Sequence, residues 1–194
     1  MNKDNQLSNY LKRFVDVSDE EASVFCSYFK ESKIKKGQFI VQPEFTARYK
    51  NYVLKGAFRA YVIDQKGDDH TISFAIDDWW ITDVNSYVYQ QPATMFVVAL
   101  EDSVVMQLES SKEAELKRMD HKYETFFRIM AERSMAFLQR RIVSSLVHSA
   151  EERYDHMLAT YPLVVERVPQ YALASYLHMT TQFLSRIRKK KIGK

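Results

Sequence analysis

The sequence predicts an α+β chain, with an antiparallel β-roll first, then one long helix, then a compact helical end. Three observations predict it. Short β-branched and aromatic runs follow one another from about Lys33 to Leu108. From Lys122 to about Val147 there is neither Pro nor Gly, and apolar residues recur at helical spacing. After Pro169 two short amphipathic segments meet at a tight turn and finish in a basic run, "SRIRKKK".

The first thirty residues read as a helical lead, over about residues 7–30. Leu7, Leu11 and Phe14 share one face, and Ser18 stands as an N-cap before Asp19, Glu20 and Glu21. The β region follows with "QFIVQ", "NYVLKGAFRAYVI", "HTISFAI", "TMFVVALE" and "SVVMQL", and is read as about eight strands. Three of the four glycines, Gly37, Gly56 and Gly67, fall where turns are expected. Beyond Leu108 the strand signal stops, and Ser110 or Ser111 can cap a helix. The long helix then carries Phe126, Phe127, Ile129, Met130, Phe137, Leu138, Ile142, Val143 and Leu146, with Ser134 as a small contact among them. Half of that stripe suits packing on the chain's own roll, and a stripe this wide also suits a second copy of itself. A homodimer helix is therefore expected over 110–147, with Phe126, Phe127, Met130, Ser134, Phe137 and Leu138 in its seam. "SAEERYDHMLATY" adds a helix that Pro162 stops.

Composition narrows the function. Of 194 residues 46% are apolar, with 12 Phe and 12 Tyr, enough for a packed core. No apolar run approaches the ~20 residues of a membrane span, and the opening "MNKDNQLSNYLKRF" lacks the apolar segment of an export signal, so a cytoplasmic location is expected. The single Cys26 excludes an internal disulfide and an all-cysteine metal site. Residues 138–194 hold ten Lys/Arg and four Asp/Glu, a net +6, against −3 for the remainder. An anionic partner is expected for the C-terminal part.

The final stretch points to double-stranded DNA as that partner, against a small helical hairpin with a solvated basic face. In "QYALASYLHMTTQFLSRIRKK", Leu173, Ala174 and Leu177 turn inward on a first helix, and the turn falls at His178-Met179-Thr180. Thr180 caps a second helix whose Phe183, Leu184 and Ile187 also turn inward. A small residue such as Ala174 lets two helices cross closely. This is the pattern of a helix-turn-helix, whose second helix reads base edges near its N-terminus. The expected base readers are Thr181, Gln182, Ser185 and Arg186, with Gln suited to adenine and Arg to guanine. The expected phosphate contacts are Gln170, Thr180, Arg188, Lys189, Lys190 and Lys191. The competing reading is a basic amphipathic module for a protein or membrane surface. It would present a lone helix, whereas Ala174 and Leu177 require a partner helix.

An enzyme is not expected, and neither is a cofactor. The five histidines are scattered, and the sequence has no HExxH, GxSxG or P-loop motif. Asp68-Asp69-His70 could hold a metal ion but reads as a solvated hairpin turn, so no metal site is expected.

The order of these parts resembles the cyclic-AMP receptor protein/FNR (Crp/Fnr) family of bacterial transcription regulators over nearly the whole chain. The resemblance rests on "KKGQFIVQPEF", "NYVLKGAFRAYV", "VVALEDSVVMQL", "AEERYDHML" and "VPQYALASYLHMTTQFLSRIRKK". It implies a sensor domain over 1–109, a dimerisation helix over 110–147 and a DNA-binding domain over 148–194. It also implies a homodimer on a near-palindromic site and contact with RNA polymerase. In cyclic-nucleotide-binding members a Gly-Glu pair and an Arg with a following hydroxyl residue cradle the phosphate. Here Thr82-Asp83 and Ala93-Thr94 stand at those places, so the phosphate would lack its charge partner. A pocket lined by Arg59, Asp83, Thr94 and Phe96 is expected to accept another small-molecule effector, if any. Trp79 and Trp80 beside it are expected to serve packing. One cysteine removes the iron–sulfur cluster of FNR-like sensors. His178 replaces the frequent turn glycine, and Gln182 stands where many relatives place Glu, so the sequence read should differ. The chain ends at Lys194, where many relatives continue into a β-hairpin wing, so one phosphate contact is expected to be missing.

Overall fold

The structure, a computed structural model, describes residues 3–192. Gly193 and Lys194, the last of the expected basic run, lie outside the described residues. Two short helices open the chain, α1 (Lys3–Lys12) and α2 (Asp19–Ser27). Ser18 caps α2 as its sequence suggests. Its hydroxyl accepts from the Glu21 N–H at 3.2 Å, and the Glu21 carboxylate accepts from the Ser18 N–H at 2.8 Å. The helical lead begins and ends a few residues earlier than expected, since Lys30 already pairs with Gln107 in a sheet.

Among the described residues eight strands follow: β1 (Lys30–Ile34), β2 (Phe39–Val41), β3 (Tyr49–Lys55), β4 (Phe58–Ile63), β5 (Asp69–Ala75), β6 (Trp80–Ile81), β7 (Phe96–Ala99) and β8 (Ser103–Glu109). They form two four-stranded antiparallel sheets, ordered β1-β8-β3-β6 and β2-β7-β4-β5. The interior between them is Ile34, Val53, Phe58, Ala60, Val97, Ala99 and Val105, contributed by alternate positions of each strand. Gly56 turns β3 into β4 at φ +128°, and a Cβ there would lie 2.0 Å from the Ser103 hydroxyl. No larger residue fits. A short helix, α3 (Val84–Tyr89), crosses between β6 and β7.

The helical half begins with α4 (Ser110–Met119) and α5 (His121–Val147). Neither Ser110 nor Ser111 is the cap of α4. Glu109 holds that position without a side-chain bond. Asp120 separates the two helices and caps α5, accepting from the Lys122 N–H at 2.7 Å. Then come α6 (Ala150–Thr160), α7 (Pro162–Arg167), α8 (Gln170–Tyr176) and α9 (Thr181–Ile192). Pro162 ends α6 and, as the first residue of α7, begins a helix that the sequence reading left out. Among the described residues no helix is long and apolar enough to cross a membrane.

Two further cores tie the halves together. The first joins α1, α2, β3, β8 and α5 through an aromatic cluster. Phe126 meets Phe25 edge-on at 5.3 Å, and Tyr10, Phe14 and Trp80 surround it. Phe126 and Phe127 are therefore not seam residues but core of their own chain, 0% and 4% exposed. Met130 packs beside them and accepts from the Tyr10 hydroxyl at 3.3 Å. The second core joins Ala57, Phe74 and Ile76 of the roll to Tyr154, Met157, Val164, Leu173, Leu177 and Leu184. Both tryptophans serve packing: Trp80 in the first cluster, and Trp79 edge-on to Tyr161 at 5.4 Å.

Candidate nucleic-acid interface

α8 and α9 are locked by their turn. Leu177 ends α8, His178 takes φ +53° and the Met179 N–H donates to the Ala174 carbonyl at 3.0 Å. A non-glycine residue tolerates that left-handed conformation at a cost, and histidine is among those that adopt it. The Thr180 hydroxyl accepts from the Phe183 N–H at 3.2 Å and so caps α9. Leu173, Ala174, Leu177, Leu184 and Ile187 are buried together. Phe183, expected inside, is exposed, because the helix turns it beside Arg186, whose guanidinium lies 5.4 Å from its ring.

The outward face of α9 presents Thr181, Gln182 and Arg186, with Ser185 half-buried between them. These are the four expected base readers, on one face near the helix start. The expected phosphate contacts divide. Lys189 is exposed, with no ion-pair partner among the described residues. Lys190 instead pairs with Glu151 at 3.1 Å, and Lys191 with Asp155, which raises the lysine above its ordinary range by hydrogen bonding. Arg188 turns back toward α6 and α7, donating to the Val165 carbonyl at 3.4 Å and lying 5.9 Å from the Tyr154 ring. The Gln170 amide donates to the Thr181 carbonyl at 3.4 Å, which fixes it at the mouth of the turn. The end of the basic run is thus fastened to α6, a pairing hidden in sequence because its acids lie some forty residues upstream. Glu151 and Asp155 are spaced one turn apart, the one sequence signal that could have suggested it.

The four expected effector residues fall in two places. Asp83 is fully buried and caps α3: one carboxylate oxygen accepts from the Ser86 N–H at 3.0 Å, the other from the Thr94 N–H at 2.9 Å. Arg59 and Phe96 lie on the outer face of the β2-β7-β4-β5 sheet, opposite the interior set by Phe58, Ala60, Val97 and Ala99. Phe96 stacks on Tyr61 at 5.1 Å. Arg59 makes a two-pronged pair with Asp69, donates to the Thr71 hydroxyl at 2.8 Å and lies between the Tyr61 and Tyr171 rings. The strand alternation of β4 separates these two from Asp83 and Thr94, so the four do not share one pocket. The same pair removes Asp69 from any metal site, and the described residues contain no cluster of three potential metal ligands.

The α5 residues expected at a seam also divide. Ser134 and Leu138 are exposed, and Phe137 is half-buried against Tyr161 at 6.3 Å. Beyond them Met135, Leu138, Ile142 and Leu146, spaced by three or four, are 68%, 44%, 61% and 78% exposed. Met135 lies among the expected seam residues, and the run to Val147 extends this apolar face past them.

Solved structures share this order of a β-roll, a long helix and a terminal helix-turn-helix. FixK2 from Bradyrhizobium japonicum matches with TM-score 0.70 at 17% identity, over 84% of this chain and 83% of that one. The c-di-GMP-responsive global regulator CLP of Xanthomonas campestris matches with TM-score 0.70 at 10% identity, over 91% and 92%. The catabolite activator protein of Thermus thermophilus matches with TM-score 0.58 at 18% identity, over 93% and 85%. No protein-family profile and no curated protein matches the sequence.

Proposed function

We propose that the chain is a transcription regulator of the Crp/Fnr type, acting in the cytoplasm as a homodimer on near-palindromic duplex DNA. Residues 1–109 would form the sensor, 110–147 the dimer helix and 148–194 the DNA-binding part. The observation that carries this reading is α9 itself. It buries Leu184 and Ile187 against α8 and keeps Gln182, Arg186 and Lys189 outside. A basic module working as a lone amphipathic helix would have used that apolar face for its partner.

In this reading Arg186 reads a base, with Thr181, Gln182 and Ser185 beside it, and Lys189 holds phosphate. Lys190, Lys191 and Arg188 act mainly to seat α9. The dimer forms along Met135, Leu138, Ile142 and Leu146, and RNA polymerase is the further partner that the fold suggests. The cyclic-nucleotide cradle is degenerate: Ala93 stands at the arginine's place, Arg59 is committed to Asp69, and Asp83 to α3. Calorimetry with cyclic AMP should accordingly show no affinity tighter than roughly millimolar.

The test of the reading is selection of bound sites from a random duplex pool, followed by two substitutions. Arg186→Ala should cost ~1–3 kcal/mol on the selected site and relax one base pair per half-site. Lys189→Ala should weaken every duplex alike and lower the salt slope by about one per lost contact. No selected sequence, together with equal loss on all duplexes for Arg186→Ala, would overturn specific reading.

A further inference from the structure

The last turns of α5, the helix α6 and the α8–α9 turn enclose a cleft of about 70 Å³ that the DNA reading does not use. Five arginine and histidine side chains line it: Arg140 and Arg141 from α5, Arg153 and His156 from α6, and His178 from the turn. No Asp or Glu is among the lining residues. Three inward-facing cations elsewhere in the molecule meet carboxylates instead. Arg59 has Asp69, Arg167 has Asp77 and Glu101, and Lys50 has Glu113.

In the cleft the arginines are held by neutral groups. Arg141 donates to the carbonyls of Thr71, at 2.9 Å, and Ile72, and its guanidinium lies 4.3 Å from the Tyr176 ring. Arg153 donates to the Leu177 carbonyl at 3.0 and 2.8 Å and to the His148 carbonyl at 2.6 Å. Carbonyls orient a guanidinium without cancelling its charge, so both forks are fixed in place with their positive charge uncompensated. Arg140 is exposed at the rim, with no ion-pair partner among the described residues. Burial first, then the charges of Arg141, Arg153 and His70, hold the His178 imidazole below its ordinary range. Ser144 and Ser145 add hydroxyls to the wall.

We propose that this cleft binds a phosphate-type oxyanion from solution, either inorganic phosphate or the phosphate group of a small ligand, through Arg140, Arg153, His156 and His178. Its room is about that of two water molecules, at ~30 Å³ each, which suits one tetrahedral head group and leaves any larger ligand to extend through the mouth. A metal cation is repelled by the same charges. Duplex backbone carries the same phosphate chemistry, but the geometry favours solution. Arg153 and His156 do not share the side of α6 where Glu151 and Asp155 hold the end of α9. An occupied cleft would fasten the turn before α9 to the end of α5. The inference does not depend on whether α9 reads DNA.

The experiment uses the full chain at about pH 7.5, where phosphate is mostly dianionic. Inorganic phosphate should raise the thermal midpoint more than chloride at equal ionic strength, and should move the ring signals of His156 and His178 in NMR spectra. Arg140→Gln combined with His156→Gln, both at exposed positions, should weaken phosphate binding by about tenfold or more while leaving the midpoint without phosphate unchanged. Equal responses to phosphate and chloride, unmoved ring signals, or a double variant that responds like the parent would each overturn the proposal. Duplex DNA that displaces bound phosphate and moves the same two rings would give the site to the DNA backbone and overturn its assignment to a solution anion.

Discussion

Over its first turns α5 faces its own chain: Tyr123, Phe126 and Phe127 are buried among Phe25, Tyr10 and Trp80. Over its last turns the apolar spacing continues, yet Leu138, Ile142 and Leu146 stand in solvent. Nothing in residue type separates the halves. What differs is the neighbour, because α1 and α2 reach only the start of the helix. Periodicity states where a helix has an apolar face, and tertiary contacts decide whether the same chain covers it. In the proposed function a second copy covers that face.

The largest expected effect belongs to the covered half. Phe126→Ala removes a fully buried ring touched by five others and should cost about 3–5 kcal/mol in denaturant unfolding, without altering association of the folded chain. A loss below about 1 kcal/mol would mean that the aromatic cluster collapses freely. Arg141→Met comes next. It frees the carbonyls of Thr71 and Ile72, which should cost about 1–3 kcal/mol and speed amide exchange along β5. Unchanged exchange would show that solvent replaces the guanidinium at no cost.

Ile142→Glu with Leu146→Glu should change the stability of the single chain by only about 0.5 kcal/mol per site. Light scattering should nevertheless report monomers, and a dimer surviving this pair would place the seam elsewhere. The smallest effect is set by pH. Because His178 binds its proton less readily folded than unfolded, the unfolded chain takes up more protons as acidity rises. The contribution is fully present above the unfolded histidine value of about 6.5 and fades as pH falls through and below it. His178→Gln should flatten that part of the stability profile, and an unaltered slope would assign it to other histidines.

Strongly patterned segments were legible in the sequence. The turn at Gly56, the hairpin turn at Gly67, the Ser18 cap, the positive φ at His178 and the Thr180 cap follow from local chemistry that acts within a few residues. β1 and β6 were not legible. "KESKI" is charged and becomes a strand only because β8 offers it a ladder, and β6 is two residues long. Two of the pocket residues fail for a related reason. Arg59 and Phe96 look like pocket liners until strand alternation sends them to the outer face, where Asp69 and Tyr61 receive them. Long-range pairing escaped too. Lys190 and Lys191 read as free cations because Glu151 and Asp155 reach them only through the packing of α6 against α9.

β5 ends its sheet, yet its free side is not bare. The Thr71 N–H donates to the Ser175 hydroxyl at 2.9 Å, that hydroxyl donates to the Asp69 carbonyl at 3.0 Å, and Arg141 donates to the carbonyls of Thr71 and Ile72. Phe74 and Ile76 are covered from the same direction. A fragment stopping before α6 would keep Arg141 but lose Ser175, freeing the Thr71 N–H and the Asp69 carbonyl at the strand edge together with that apolar surface, a template on which strands of separate molecules add edge to edge. The C-terminal helices therefore also shield the roll from self-assembly into aggregates. A roll expressed without them should collect in the insoluble fraction, whatever the C-terminal helices do for the intact chain.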